Sequence, residues 1–192
     1  MPLPVKQRVG APRAVERLTK GYNDRGQVRP PRLKLPTGEN PLIRKYQAED
    51  CEEVIGVWFA ASQVATPFLS EEFLADEREQ IRKHHLPRAE TWVFEHEDSV
   101  AGFIALMGNE VGAIFVKPEL QGRGIGRALM DHAAASRDSL FLDVFKRNSI
   151  GRRFYDRYGF RFRREHLHEP TGNLQLRLVY TPKGSVPGQR SP

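Results

Sequence analysis

Residues 114–135 read IFVKPELQGRGIGRALMDHAAA, which sets a strand, a glycine-rich turn and a helix end to end. The apolar run 111–116 has the length and β-branched content of a buried strand. Pro118 stops it, because proline has no N–H to give to a sheet ladder. After Gln121-Gly122-Arg123-Gly124-Ile125-Gly126, the residues Ile125, Leu129, Met130 and Ala133 recur on one helical stripe. The first turn of such a helix leaves N–H groups unpaired, and the helix dipole puts positive potential on them. Glycines let the backbone approach an anion with no Cβ in the way, so the turn suits phosphate. Gln121, Arg123 and Arg127 add donors at its rim. The stretch reads as a pyrophosphate cradle.

Two common phosphate motifs do not fit it. A Walker loop needs Gly-Lys-Ser/Thr after four spacers, and no such run occurs. A dinucleotide fingerprint accommodates Gly122 and Gly124, with Asp143 ending a strand downstream. Its third glycine falls on Arg127, where close helix–strand packing tolerates no long side chain. What remains is Gln/Arg-x-x-Gly-x-Gly/Ala, whose defined places are held by Gln121, Gly124 and Gly126.

The net charge of +6 points first to nucleic acid, but its distribution argues otherwise. Residues 1–40 hold nine Lys/Arg against three Asp/Glu, while residues 41–192 hold 21 of each. The excess therefore sits on an N-terminal extension, and the domain itself is not expected to read nucleic acid. Pro2, Pro4, Pro12, Pro30, Pro31 and Pro36 interrupt that extension, and residues 1–40 are predicted to be disordered. A transit peptide fits its arginines but not its prolines, and an overextended gene start is a third reading. Residues 182–192 read as a flexible tail. No apolar run approaches the roughly 20 residues of a membrane span, and no secretory signal is seen at the N-terminus. The single cysteine, Cys51, excludes an internal disulfide framework and fits a reducing, cytoplasmic compartment.

Residues 41–181 read as one α+β domain. A strand at 42–46 leads to a helix whose start carries Glu49, Asp50, Glu52 and Glu53 and whose core stripe is Val54, Val57, Trp58 and Ala61. Thr66-Pro67-Phe68-Leu69 breaks it, and Ser70 caps a second helix running to about Leu86. Strands at 91–95, 100–107 and 111–116 are joined by short turns, which makes them antiparallel neighbours and disfavours a doubly wound nucleotide domain. Beyond the cradle helix come a strand at 140–145, a helix over 149–158 closed by Gly159, and strands at 160–164 and 174–180. The expected product is a mixed, mostly antiparallel sheet of about seven strands flanked by about four helices.

Residues 148–160 read NSIGRRFYDRYGF. Asn148, Gly151, Phe154, Tyr155, Gly159 and Phe160 form a second motif, and Val116-Lys117-Pro118 precedes the first. Together these resemble the GCN5-related N-acetyltransferases, the GNAT superfamily. Residues 106–126 and the flanking helices are similar, further, to a YjaB-like bacterial branch. The departure is Gly151 where alanine is usual, which costs a helix about 1 kcal/mol. The resemblance covers about residues 42–180 and implies a GNAT fold and direct transfer of acetyl from acetyl-CoA to an amine, with no acyl-enzyme. By the same resemblance the pantetheine arm pairs with the backbone of Ile114, Phe115 and Val116. The Val116 amide then polarises the thioester carbonyl. Gln121, Gly122, Arg123, Gly124, Ile125, Gly126 and Arg127 hold the pyrophosphate, and Asn148 bonds the pantetheine or the adjoining backbone.

A departing thiolate needs a proton, and by motif position Tyr155 is the acid, the alternative being a core tyrosine. The acceptor ammonium must lose one, and Glu110, at the head of the central strand, is the first candidate for that base; otherwise it is a turn residue facing solvent. His84 and His85 suit a helix C-terminus. His166 and His168 alternate onto one strand face, but no third ligand has zinc-like spacing, so no metal site is read. The acceptor is expected over the loop 66–69. Expected partners are acetyl-CoA and an amine, without membrane, for a monomer or homodimer. Two other classes stay open: a sensor that binds acetyl-CoA without turnover, and a nucleic-acid-associated factor acting through the basic extension.

Overall fold

The computed structural model describes residues 43–182. The extension 1–40, the start of the strand expected at 42, and the tail from 183 lie outside the described residues.

A seven-stranded sheet carries the fold, in the order β1-β2-β3-β4-β5-β7-β6. Its strands are β1 (Ile43–Lys45), β2 (Glu90–His96), β3 (Ser99–Met107), β4 (Glu110–Val116), β5 (Leu140–Phe145), β6 (Arg161–His168) and β7 (Asn173–Tyr180). All neighbours are antiparallel except β4 and β5. The helices are α1 (Cys51–Ala65), α2 (Glu71–Gln80), α3 (Ile125–Ala134) and α4 (Ser149–Tyr158). Ser70 Oγ accepts the Phe73 N–H at 3.1 Å, which caps α2 as its sequence predicts. The expected run of α2 to Leu86 ends differently: Ile81–His85 form a π-helical turn, closed by the Leu86 N–H on the Ile81 carbonyl at 2.9 Å. β6 is also longer than the stretch predicted at 160–164. Its continuation is polar and largely exposed, so it lacks the apolar alternation that marks a half-buried strand. No described helix is long and apolar enough to cross a membrane.

Successive residues of a strand face opposite sides of the sheet, and here they feed two cores. Val93, Phe103 and Ala105 pack under α1 and α2 with Val54, Trp58 and Leu74. Phe94, Ile104 and Leu106 pack under α3 with Ile125, Leu129 and Met130, and the aromatic rings of α4 join that side. Fully burying one such side chain is worth roughly 1.5–3 kcal/mol, so both helix layers are held chiefly by apolar area. At the sheet margin Arg44 bridges Asp50 (2.7 Å) and Glu95 (2.7 Å), tying β1 to the start of α1 and to β2.

Two irregularities shape the centre. In β4, Ala113 pairs with Ala105 and Val111 with Leu106, so Gly112 is an extra residue that bends the strand. β4 then meets β5 only through Glu110 and Phe141. Beyond that point the two strands part.

Candidate active site

The parting of β4 and β5 opens a cleft of about 1650 Å³. One wall is β4 from Val111 to Val116 and another is the cradle around residues 120–128. Asn148, Phe154 and Tyr155 stand opposite, and Trp58, Thr66, Leu69, Phe73 and Glu77 close the α1–α2 side. Because β5 leaves β4, the β5-facing edge of Ile114, Phe115 and Val116 carries no sheet ladder. Unpaired strand edges accept an extended partner, so this one suits the amide-bearing arm of a ligand.

The edge runs into the cradle. Gly122 has φ +78° and Gly124 has φ +102°, the left-handed region open to glycine. Gly124 caps α3, and the first helical bond is the Ala128 N–H to the Gly124 carbonyl at 3.0 Å. The N–H groups of Ile125, Gly126 and Arg127 are thereby left without a carbonyl in the helix, at its positive end. Arg123 lines the same wall, and its Nε is buried with no hydrogen-bond partner. An orphaned cationic donor beside free N–H groups fits the pyrophosphate of a coenzyme. Gly126 stands where a Cβ would touch the Phe154 ring at 3.5 Å, which lets α3 and α4 close on each other.

Two cradle residues do something other than face the anion. Gln121 Nε2 donates to the Val116 carbonyl at 3.1 Å, fastening the loop to the end of β4. Arg127 is exposed, pairs with Asp131 at 3.6 Å and lies over the Tyr158 ring at 5.6 Å.

Asn148 caps α4, its Oδ1 accepting the Gly151 N–H at 2.8 Å. Its Nδ2 keeps both protons for a ligand. Tyr155, two turns further on, is half-buried between Phe154 (5.3 Å between ring centres) and Phe160 (5.5 Å). Desolvation holds its phenol above the ordinary tyrosine range. It is therefore protonated at neutral pH, and its hydroxyl has no hydrogen-bond partner among the described residues. Such a group can give a proton and is poorly suited to take one.

Glu110 is not brought to this site. Both its carboxylate oxygens are held by the Arg177 guanidinium, which also donates to Asp143 at 3.0 Å. The carboxylate raises the Arg177 pKa in return. Glu110 locks β4 to β7 across β5, outside the cleft wall, and the expectation that it serves as the base finds no geometric support. Thr66 and Leu69 do border the cleft as the loop 66–69 was expected to, while Phe68 packs edge-on against Phe145 (5.7 Å) with Arg147 over its ring at 4.3 Å. His84 and His85 reach the cleft from the π-helical turn, with His85 Nε2 3.8 Å from Glu77. His166 Nε2 lies 3.8 Å from Asp143, and His168 lines the cleft. Among the described residues no group of three or more His, Cys, Asp or Glu is arranged to hold a metal. Phe73 and Phe145 escape a sequence reading as cleft residues, since each matters only through what a distant segment places beside it.

Residues 87–162 match the family described as acetyltransferase (GNAT) domain. The chain is 33% identical over 120 residues to the peptidyl-lysine N-acetyltransferase YjaB of Escherichia coli, across 62% of this chain and 81% of that protein. The solution structure of apo YjaB superposes with a TM-score of 0.66 at 30% identity, covering 72% of this chain and 95% of that one. The peptidyl-lysine N-acetyltransferase YiaC of E. coli is 30% identical over 120 residues, 62% of this chain and 82% of that protein. The PaiA N-acetyltransferase of Thermoplasma acidophilum, solved with coenzyme A, shares the fold at a TM-score of 0.61 and 20% identity, covering 73% and 98% of the two chains.

Proposed function

The chain belongs to the GNAT acetyltransferases and transfers acetyl to an amine, and we propose that acetyl-CoA is its donor and the side-chain amine of a peptide lysine its acceptor. The observation that carries the donor is the unpaired edge of β4 leading directly into the glycine cradle. The names of YjaB and YiaC support the acceptor.

In this reading the N–H groups of residues 125–127 and the Arg123 guanidinium hold the pyrophosphate. The backbone of Ile114, Phe115 and Val116 pairs with the pantetheine amides, and the Val116 N–H draws charge onto the thioester oxygen as the amine attacks. Gln121 holds the Val116 carbonyl and so fastens the cradle loop to the end of this strand. Asn148 Nδ2 orients the arm from α4. Tyr155 gives its proton to the departing sulfur, a thiolate whose ordinary pKa lies near 8.5. The domain is residues 41–181, a monomer or homodimer acting in the cytoplasm without nucleic acid, and removal of residues 1–40 leaves its activity intact.

Acetyl-CoA-dependent thiol release, followed by mass spectrometry of the acceptor, tests this. A lysine peptide with a blocked N-terminus should gain one acetyl group on lysine. Turnover confined to small amines or to peptide N-termini would overturn the lysine assignment.

A further inference from the structure

We propose that His168 is the base that takes the proton from the acceptor ammonium. The proposal rests on the reading of the chain as an amine acetyltransferase and adds a residue to it. At neutral pH only about one lysine amine in two thousand is unprotonated, so the attacking nitrogen must lose a proton on the enzyme. Among the described residues several titratable side chains border the cleft, and most are engaged. Asp143 is held by Arg177. Asp131 accepts from the Tyr158 hydroxyl at 2.8 Å and pairs with Arg127 beside the cradle. His132 meets Trp92 edge-on with ring centres 4.2 Å apart. Glu77 and His85 face each other, and His84, the other histidine of the π-helical turn, is exposed with no contact among the described residues that fixes its ring.

His168 is set differently. Its ring stands nearly perpendicular to Phe73 of α2 (5.9 Å, 89°) and to Phe145 of β5 (5.3 Å, 89°). Its Nδ1 meets Thr171 Oγ1 at 2.8 Å. Three contacts from three segments thus fix a half-buried imidazole that lines the cleft, and Nε2 has no partner among the described residues. In the tautomer whose Nδ1–H donates to Thr171 Oγ1, the one this proposal requires, the lone pair sits on Nε2. Of the charged groups on the elements packed nearby, Glu77 of α2 lines the same cleft, Arg147 lies over the Phe68 ring that meets Phe145, and His166, two residues back on β6, faces Asp143 of β5. The phenyl rings of Phe73 and Phe145 offer an apolar lining for a lysine stem, which would bring its ammonium to the polar edge of the imidazole. The proton passes from nitrogen to Nε2 and the freed amine attacks the thioester carbon. The C–S bond breaks as the sulfur takes a proton from Tyr155, the new amide nitrogen gives its remaining extra proton through solvent to the tyrosinate, and the imidazolium returns its own to solvent.

The test uses the full chain, acetyl-CoA and two acceptors, a lysine peptide and n-butylamine. His168→Gln should bind acetyl-CoA as the wild type does and lose about 10²-fold or more in kcat/KM at pH 7. The deficit should shrink toward unity near pH 10, where solvent deprotonates the amine unaided. Thr171→Val, which removes the bond to Nδ1 and leaves the two phenyl contacts, should move the acidic limb of the profile without changing acetyl-CoA affinity. A deficit below threefold at pH 7, or one constant with pH, overturns the assignment. If His168→Gln does not fold, the wild-type and Thr171→Val profiles decide, and a profile set by the amine alone overturns it. A wild type that binds acetyl-CoA and acetylates neither amine defeats the acetyl-transfer reading itself, which is distinct from an active enzyme with a pH-independent defect.

Discussion

Asn148 and Gly151 share one small volume: the carboxamide oxygen accepts the glycine N–H at 2.8 Å, and a Cβ on residue 151 would lie 3.0 Å from the carboxamide nitrogen. Alanine at 151 gains about 1 kcal/mol of helix propensity but must displace the cap by a few tenths of an ångström. Gly151→Ala should therefore change stability by less than about 0.5 kcal/mol, and Asn148→Ala should cost about 1 kcal/mol of capping. In the Asn148→Ala background the same glycine substitution should yield its full gain, about 1 kcal/mol. Urea denaturation of the four proteins of this cycle measures the coupling. Additive effects would mean that the two residues do not compete.

Tyr155→Phe removes one oxygen from a ring held by Phe154 and Phe160 and opens no cavity. Stability and acetyl-CoA affinity should hold while kcat falls about 10²–10⁴-fold. Burial raises the phenol, so its acid form persists as pH rises. The wild-type kcat should accordingly show no loss from this group below about pH 10, its ordinary value. A donor with a more acidic leaving thiol should suffer less from the substitution. Equal losses for both donors would remove the acid role.

Gly124→Ala meets no atom within 4 Å of the new Cβ, so its cost comes from φ +102° alone. Holding alanine in the left-handed region costs roughly 1–2 kcal/mol, and relaxation of that strain turns the cradle N–H groups away. Acetyl-CoA should bind tenfold or more weakly, about 1.4 kcal/mol, by calorimetry. Unchanged affinity in the folded variant would show that the pyrophosphate lies elsewhere.

Asp50 is 6% exposed and accepts two bonds from Arg44 and one from the Gln47 N–H at 2.8 Å. The Arg44 guanidinium holds its carboxyl below the usual range, so the folded state favours the ionised form. That stability is present above the unfolded value, about pH 4, and is lost as pH falls through the lower folded value. Asp50→Asn should cost about 1.5–3 kcal/mol at pH 7 and flatten the fall in stability toward pH 3, read by denaturant titration at the two values. An unchanged slope would place the acid sensitivity on other carboxylates.

The glycine turn was legible in the chain because its backbone features lie within a few consecutive residues. A left-handed glycine, a helix start and a strand stop are local properties, and residues 116–127 carry all three. The two cores were legible for a related reason, since alternation along β2 and β3 and the α3 stripe each declare a buried side. Glu110 and His168 were not legible. Glu110 is neutralised by Arg177, 67 positions away, because β7 lies beside β5 and brings that guanidinium to the head of β4. His168 is fixed in the cleft wall only when the β6–β7 turn meets Phe73 of α2 and Phe145 of β5. Sequence alone determined the backbone geometry of the glycine turn, which depends on φ values and unpaired N–H groups of adjacent residues. Tertiary structure decided which side chains remain free to move a proton, because a charge or lone pair is available only if no distant partner has been folded against it.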